Sequence, residues 1–477
     1  MKKEITIRMS FEDYKVITGH LAKAGKDESF IYCLFSKAIA LNSTIYICRQ
    51  LILPDVSELE NQSGVSIEPS QAYQAAAYSL AYDQKMDIVD IHTHPFSRNA
   101  RFSSIDDHYG TKNAQYIAAN FPPDITMGMI VFGKGFDNFE AQIWNRGNDG
   151  FEPVHRIEIL GVPTTILTSQ NEPCISPKAD PYARHRIIPG WKQGVLEKLK
   201  VFVCGLGGNG ALVFESLLAL GIGKDGGWIK ACDPDVLEAS NLPRIPYAYP
   251  KQVGWSKALV AKAYVRRKAA DLNVTCFQDS VESELIQSHL KEANIIIGAI
   301  DNDGARLVLN SLAARYMIPY IDLGTEIIPG KDNYEAIGQV QIFVPGKTGC
   351  MMCSGAINPS QAALDSMSSE GRAGYERAGY VRGTQETPTP SVLHLNGVMS
   401  HLSISQMLCM IFNDGFEGKE FLLYNRQNAN LLTASSIKND ECPVCGINGY
   451  LATGDEDKSV LDEISDLKDS SAFKSAR

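Results

Sequence analysis

The stretch Lys200-Val-Phe-Val-Cys204-Gly205-Leu-Gly207-Gly208-Asn-Gly210 decides the fold of most of this chain. Its apolar opening reads as a buried strand, its glycines as a tight turn, and the apolar run on to Leu220 as a helix. That is the strand–turn–helix context a nucleotide loop needs. Downstream, apolar strands at 228–232, 294–300, 318–322 and 338–344 alternate with helical stretches near 256–271, 280–292 and 303–315. Strands spaced by helices predict a mostly parallel, doubly wound α/β sheet.

A glycine-rich turn alone would suit NAD or flavin equally well. Asp233, at the end of the next strand, also fits a dinucleotide site. The run Asp233-Pro-Asp235-Val-Leu-Glu238-Ala-Ser-Asn241-Leu-Pro-Arg244, however, adds an asparagine and an arginine. Lys257 follows in Gly254-Trp-Ser-Lys257, and Ala299-Ile-Asp301-Asn302 ends a later strand. Activation of a carboxylate by ATP needs cations against phosphates and a carboxylate for magnesium, whereas hydride transfer needs neither. Each residue alone reads more simply as a surface charge or a cap; the ordered set is coherent for adenylation.

Residues 183–450 resemble the ThiF/MoeB/HesA and ubiquitin-activating (E1-like) enzymes. The resemblance implies a Rossmann-like adenylation domain in which Gly205, Gly207, Gly208 and Gly210 form the ATP loop. Asp233 would hold the ribose, Arg244 and Lys257 the phosphates with Asn241 beside them, and Asp301 a magnesium ion. Arg186, in Arg184-His-Arg186-Ile-Ile-Pro-Gly-Trp, matches the arginine that reaches across a homodimer to the partner's ATP; Arg184 is the alternative. Cys350-Met-Met-Cys353 and Cys442-Pro-Val-Cys445 together satisfy a closed, tetrahedral structural zinc, with a redox pair as the rival for either alone. Residues 355–390 look like a mobile crossing segment. Relatives that carry cargo as a thioester keep a cysteine there, and residues 354–408 contain none. The chain is therefore expected to adenylate only and to hand its acyl-adenylate to a partner. The alternative is an oxyester on a hydroxyl of Arg382-Gly-Thr384-Gln-Glu-Thr387-Pro-Thr389-Pro-Ser391, with Thr384 the named acceptor.

Ahead of this segment, residues 30–39 and 44–53 read as a strand pair, 70–84 as a helix, and 125–133 and 139–145 as strands. Met86-Asp-Ile-Val-Asp-Ile91 reads as a buried strand delivering His92-Thr-His94-Pro. Alternate residues of a strand point the same way, so the two imidazoles face one site. Asp106, on the first turn of a helix from Ser104 to Asn120, can supply a third zinc ligand and leave one position open, the arrangement of a hydrolytic site. Glu28 is the candidate general base, and Ser103 can donate to a tetrahedral oxyanion. A core histidine pair beside a Ser-x-x-Asp helix cap is the rival reading, which Asp106 in register outweighs, and Ser104 with Asp107 gives the same pattern one residue on. Residues 1–160 resemble the JAMM (JAB/MPN) metallo-isopeptidases, in which an upstream Glu, His-x-His-Pro and Ser-x-x-Asp recur. That resemblance implies a catalytic zinc and cleavage after the C-terminal glycine of ubiquitin-like proteins.

The expected organisation of the 477 residues is a zinc peptidase domain at 1–165, a linker at 166–182, the adenylation domain with its four-cysteine zinc knuckle at 183–454, and a flexible tail at 455–477. Apolar residues make up 44% and charged residues 21%, and the net charge of -10 offers no electrostatic footprint for nucleic acid or an anionic membrane. The N-terminus lacks a signal-peptide core, and no run of roughly 18 uncharged apolar residues occurs, so a cytoplasmic location is expected. Cys33, Cys48, Cys174, Cys204, Cys232, Cys276 and Cys409 read as reduced, buried small hydrophobes. The whole predicts a bifunctional enzyme that uses ATP, magnesium and two zinc ions, one catalytic and one structural. It would act on a ubiquitin-like protein ending in glycine, with an E2-like conjugating protein downstream. Thiocarboxylate formation on a sulfur carrier is the enzymatic alternative, and an N-terminal docking module with incidental metal-like residues the non-enzymatic one.

Overall fold

The computed structural model describes residues 3–63, 66–169, 180–331, 333–365 and 390–455. They divide into two compact units, residues up to 169 with 452–455, and residues 180–451.

The first unit has strands β1 (Glu4–Ser10), β2 (Phe30–Ile39), β3 (Ser43–Ile52), β4 (Leu59–Ser63), β5 (Ser66–Pro69), β6 (Asp87–His94), β7 (Met127–Gly133), β8 (Phe139–Asn145), β9 (Gly150–Pro153), β10 (Arg156–Leu160) and β11 (Thr165–Thr168). Nine of them form one sheet in the order β11-β10-β1-β3-β2-β6-β7-β8-β9, and β4 pairs with β5 apart from it. β6 is buried along its whole length, antiparallel to β2 and parallel to β7. Val89 and Ile91 pack with Ile7, Phe35 and Ile130 beneath the helix Phe11–Ala22. Ile88 packs on the opposite face with Tyr32 and Met127, under the helices Gln71–Gln84 and Ser104–Asn120. A strand covered on both faces reads as a continuous apolar run, which is why β6 was legible.

Two features differ from expectation. Glu4–Ser10 was not read as a strand, yet as β1 it joins β10 and β3 in parallel on either side. Its apolar pattern is broken by Arg8, which is buried because Glu158 accepts from it at 2.8 Å. The stretch expected to open the linker, at 166–168, is instead edge strand β11, antiparallel to β10. Its Ile166, Leu167 and flanking threonines suit a strand better than a spacer.

The second unit holds β12 (Lys200–Cys204), β13 (Trp228–Cys232), β14 (Val274–Phe277), β15 (Ile295–Gly298), β16 (Tyr320–Pro329), β17 (Tyr334–Phe343), β18 (Phe421–Asn425) and β19 (Asn430–Ala434), in the order β14-β13-β12-β15-β16-β17-β18-β19. β14 through β16 in that order are parallel, and the strand order reverses direction at β12, where a crevice opens beyond the strands' C-terminal ends. The sheet is parallel over these five strands, as expected, but β17, β18 and β19 pair antiparallel, so the stretch expected as a further parallel strand at 338–344 runs the other way. The link from Pro329 to Tyr334 is too short for a crossover helix, so β17 must return as a hairpin.

The helix Leu393–Phe412, with a mean hydropathy of 1.3, is long and apolar enough by length and composition to cross a membrane, although polar residues interrupt its apolar run. Its inward face, with Asn396, Met399, Ser400 and Ser403, is buried. Ser400 Oγ donates to the Asn209 carbonyl at 3.0 Å, and Gly338 of β17 leaves the space that Met399 fills.

A Cβ on Gly210 would lie 1.9 Å from the Gly205 carbonyl oxygen, whereas one on Gly207 would meet nothing within 4 Å. Gly210→Ala is expected to cost about 1–3 kcal/mol in denaturant unfolding, and Gly207→Ala less than about 0.5. Equal stability of the two variants would refute this account of the turn.

Candidate nucleotide cleft and candidate metal centres

The glycine turn lies at the C-terminal end of β12, with the helix Gly208–Ala219 starting inside it. Gly205 has φ +92°, and a Cβ there would press on the Ala299 carbonyl oxygen at 2.5 Å. Only glycine serves at such a position. Beyond the turn is a cleft of about 1010 Å³ whose walls include Gly205, Gly207, Gly208, Asp233, Asn241, Arg244, Lys257 and Asp301. Every residue expected on the chain's own ATP except Gly210 therefore lines one cavity, and Gly210 packs beneath the turn.

Asp233 is buried at the end of β13. Its two oxygens accept from the N–H groups of Leu206 (2.7 Å) and Asp235 (2.9 Å), which ties the carboxylate to the turn. Burial raises its pKa, while Lys257 and those N–H groups pull it down. Lys257 Nζ is 2.7 Å from Asp235 and 3.5 Å from Asp233. Asn241 Oδ1 accepts from the Glu238 N–H at 3.1 Å and holds the loop that presents Arg244. Arg244 has no carboxylate partner among the described residues, and its Cδ would be 3.3 Å from a Cβ on Gly208. Asp301 is exposed at the rim.

Sequence reading missed several residues of this wall. Arg306 is held by Asp322 and by Asp303 at 2.7 Å, and Tyr320 donates to Asp322 at 2.8 Å. Thr325, Ser391 and Asn396 also line the cleft. The Asp303–Arg306 spacing was the available signal; it read only as part of a helix. Arg186 is not in the cleft of its own chain but pairs with Asp180 at 2.7 Å and Glu197 at 3.2 Å, and Arg184 is exposed. Thr384, Thr387 and Thr389 lie outside the described residues.

The four knuckle thiols converge. Cys350 Sγ is 3.9 Å from Cys353 Sγ and 3.6 Å from Cys442 Sγ, and Cys353 Sγ is 3.4 Å from Cys445 Sγ. A tetrahedron of thiolates about zinc has sulfur–sulfur edges of about 3.8 Å, so the donor set fits that ion. The Asn439 N–H approaches Cys353 Sγ at 3.5 Å and supports a thiolate there.

In the first unit the β2–β6 register sets Phe30 opposite His92, and two residues further out the same register brings Glu28 beside His94. Glu28 Oε1 is 3.5 Å from His94 Nε2; Asp106 Oδ2 is 3.5 Å from His94 Nε2, and Asp106 Oδ1 is 3.6 Å from His92 Nε2. Gln62 fixes Glu28 from behind by donating to its carbonyl at 2.8 Å. The Ser103 hydroxyl accepts from the Asp106 N–H at 3.2 Å, and the Ser103 N–H donates to Asp106 Oδ2 at 2.6 Å. Cap and carboxylate are thus one arrangement, in which the helix N-terminus aims Asp106 at the histidines. Asp107 and Ser104 are exposed, so the geometry selects Asp106 over the alternative register.

The buried His92 Nε2 has no hydrogen-bond partner among the described residues, and the candidate ligand atoms of His92, His94 and Asp106 all lie within 4.8 Å of one another. An orphaned imidazole nitrogen facing a second imidazole and a carboxylate is a donor set that fits zinc. Burial opposes charge on His92, yet Asp106 and Asp90 outweigh it and push the imidazole up to about 9. Burial raises the pKa of Glu28, and the two imidazoles oppose the rise.

A doubly wound sheet with a glycine turn, an acid after the second strand and cations beyond it is the adenylating class of nucleotide enzyme. The chain belongs to the ThiF family, whose sequence profile matches residues 182–444, an E1-like adenylating domain. It is 31% identical over 183 residues to SUMO-activating enzyme subunit 2 of Dictyostelium discoideum, covering 37% of this chain and 26% of that protein. It thus spans about a quarter of that relative's length. It is 25% identical to the SAMP-activating enzyme E1 of Haloferax volcanii, covering 58% of this chain and 93% of that one. To the sulfur carrier protein ThiS adenylyltransferase of Bacillus subtilis it is 26% identical over 54% of this chain and 68% of that protein.

Because a His92 raised to about 9 is protonated at neutral pH and a zinc ligand must be neutral, zinc uptake at pH 7 is expected to release about one proton from it. Without metal, the stabilisation from protonated His92 is complete below the usual histidine pKa and is lost as pH rises through about 9. Calorimetric zinc titration in two buffers of different ionisation enthalpy reads the released proton, and its absence would detach His92 from the metal. Cys350→Ser is expected to remove about one zinc per chain and to lower the Tm of the second unit. Unchanged metal content in that variant would rule out a shared site.

Proposed function

We propose that the chain uses magnesium-ATP to adenylate the C-terminal glycine of a ubiquitin-like or sulfur-carrier protein, and that its first unit hydrolyses peptide or isopeptide bonds after that glycine. The observation that carries the first part is the single cleft shared by the glycine turn, Asp233, Asn241, Arg244, Lys257 and Asp301. The N–H groups of the turn and the first turn of the helix Gly208–Ala219 would receive phosphate oxygens. Arg244 and Lys257 would neutralise them, Lys257 exchanging Asp235 for phosphate, and Asp233 would hold the ribose. Asp301 would hold magnesium, which offsets phosphate charge when bound. The carrier's terminal carboxylate oxygen forms a bond to the α-phosphorus as the bond to the pyrophosphate oxygen breaks, giving acyl-adenylate and pyrophosphate. Arg186, released from Asp180 and Glu197, is proposed to act across a homodimer. The named relatives activate SUMO, SAMP and ThiS, which supports a carrier protein as substrate.

In the first unit His92, His94 and Asp106 would hold zinc, which when bound polarises the scissile carbonyl. Glu28, with its raised pKa, would take up the proton of the attacking water and pass it to the leaving amine. The Ser103 hydroxyl, whose oxygen already caps the helix, keeps its own proton for the developing oxyanion.

Lys257→Ala and Asp301→Ala are expected to reduce carrier-dependent ATP–pyrophosphate exchange at least about a hundredfold while leaving hydrolysis of a C-terminally extended carrier intact. His92→Ala and Asp106→Ala are expected to do the reverse. Normal exchange in both members of the first pair would sink the adenylation assignment. Residues 354–408 contain no cysteine, so AMP-carrier is expected to accumulate without a covalent chain–carrier adduct. A thiol-resistant, hydroxylamine-sensitive adduct lost in Thr384→Ala would overturn the adenylation-only reading.

A further inference from the structure

Asn396 is a buried amide, 1% exposed, on the inward face of the helix Leu393–Phe412, and it lines the nucleotide cleft. Thr325 Oγ1 donates to its Oδ1 at 2.9 Å, and its Nδ2 donates to Ser391 Oγ at 3.1 Å. That nitrogen lies against the glycine turn: it would be 2.1 Å from a Cβ on Gly208, with Arg244 Cδ at 3.3 Å from the same point. One turn further along, Ser400 ties the helix to the Asn209 carbonyl at 3.0 Å, so the helix is anchored to the turn it serves. An amide nitrogen carries two protons. Ser391 takes one, and the second has no acceptor among the described residues.

We propose that Asn396 is a phosphate-binding residue of the adenylation site, its second amide proton donated to a phosphate oxygen of the nucleotide at Gly208. Arg244 supplies charge at this position and Asn396 a fixed, uncharged donor. Gly208 is glycine because a side chain there would occupy the place of this amide. Thr325 acts through Asn396 as a positioning residue, since its hydroxyl is engaged with the amide oxygen and holds the rotamer. The proposal rests on the adenylation reading given above.

The test uses the full chain and measures the Kd of magnesium-ATP and of adenosine by calorimetry for the wild type, Asn396→Asp, Thr325→Val and Lys257→Ala. Aspartate keeps the shape, removes the donor and turns a negative oxygen toward the phosphates. A donor lost to a charged group corresponds to about tenfold or more in Kd for magnesium-ATP, with adenosine binding expected to change by less than about twofold. Thr325→Val should weaken magnesium-ATP by a smaller factor in the same selective way, and it keeps the test open if Asn396→Asp fails to fold. Equal losses for ATP and adenosine, or wild-type ATP binding in both variants, would overturn the proposal. If Lys257→Ala loses ATP selectively while Asn396→Asp and Thr325→Val do not, the inference alone fails. A wild type that gains nothing from the phosphates brings down the adenylation reading and this inference together.

Discussion

The second unit is organised around a backbone approach that no side chain can enter. Gly205 takes a left-handed conformation with its α-carbon against the Ala299 carbonyl, and Gly210 packs onto the Gly205 carbonyl in turn. Three segments meet there: the end of β12, the end of β15 and the first turn of the following helix. Their meeting aims helical N–H groups into the cleft. The neighbouring carboxylate depends on the same contact, since Asp233 reaches Leu206 at 2.7 Å only because the turn is this tight. The helix Leu393–Phe412 then covers the turn from the far side, bringing polar Asn396 and Ser400 to it on an apolar body.

The first unit solves a comparable problem by strand register. His92 and His94 share a face because they alternate on β6, and Glu28 joins them because β2 is antiparallel with Phe30 opposite His92. Slipping that pairing by one residue would turn the histidines' neighbours to the other face. The third partner arrives by a different device, a helix cap whose Ser103 hydroxyl and backbone N–H position Asp106. The local cap therefore explains why Ser-x-x-Asp occurs at this place, and the same cap serves the site.

Much of this was legible in the chain, for identifiable reasons. β6 and β12 are buried on both faces and read as continuous apolar runs, and the glycine turn declares its backbone requirement directly. The two Cys-x-x-Cys pairs declare one cluster. β1 was not legible, because Arg8 in its centre looks solvent-facing until Glu158 is brought to it from 150 residues away. β17 was read as one more parallel strand because periodicity does not reveal direction; the short link before it does. Arg306 and Asn396 sit in helical stretches, where a single polar residue carries no signal of the cavity it meets.

The electrostatics of the cleft bear on how a nucleotide enters it. Carboxylates outnumber cations along its walls, and two of the cations are already compensated: Lys257 by Asp233 and Asp235, and Arg306 by Asp303 and Asp322. Arg244 is the wall cation without a carboxylate partner among the described residues. A nucleotide triphosphate alone would meet a field of its own sign, and one arginine with a row of backbone N–H groups offsets only part of it. A divalent ion carried in with the phosphates would change that balance twice, by neutralising the ligand and by giving the rim carboxylate of Asp301 a favourable partner. On the proposed function the excess of acid would act as a selector, disfavouring the free polyanion and favouring the metal complex, and a neutral donor such as the Asn396 amide would add a contact at the turn without adding charge.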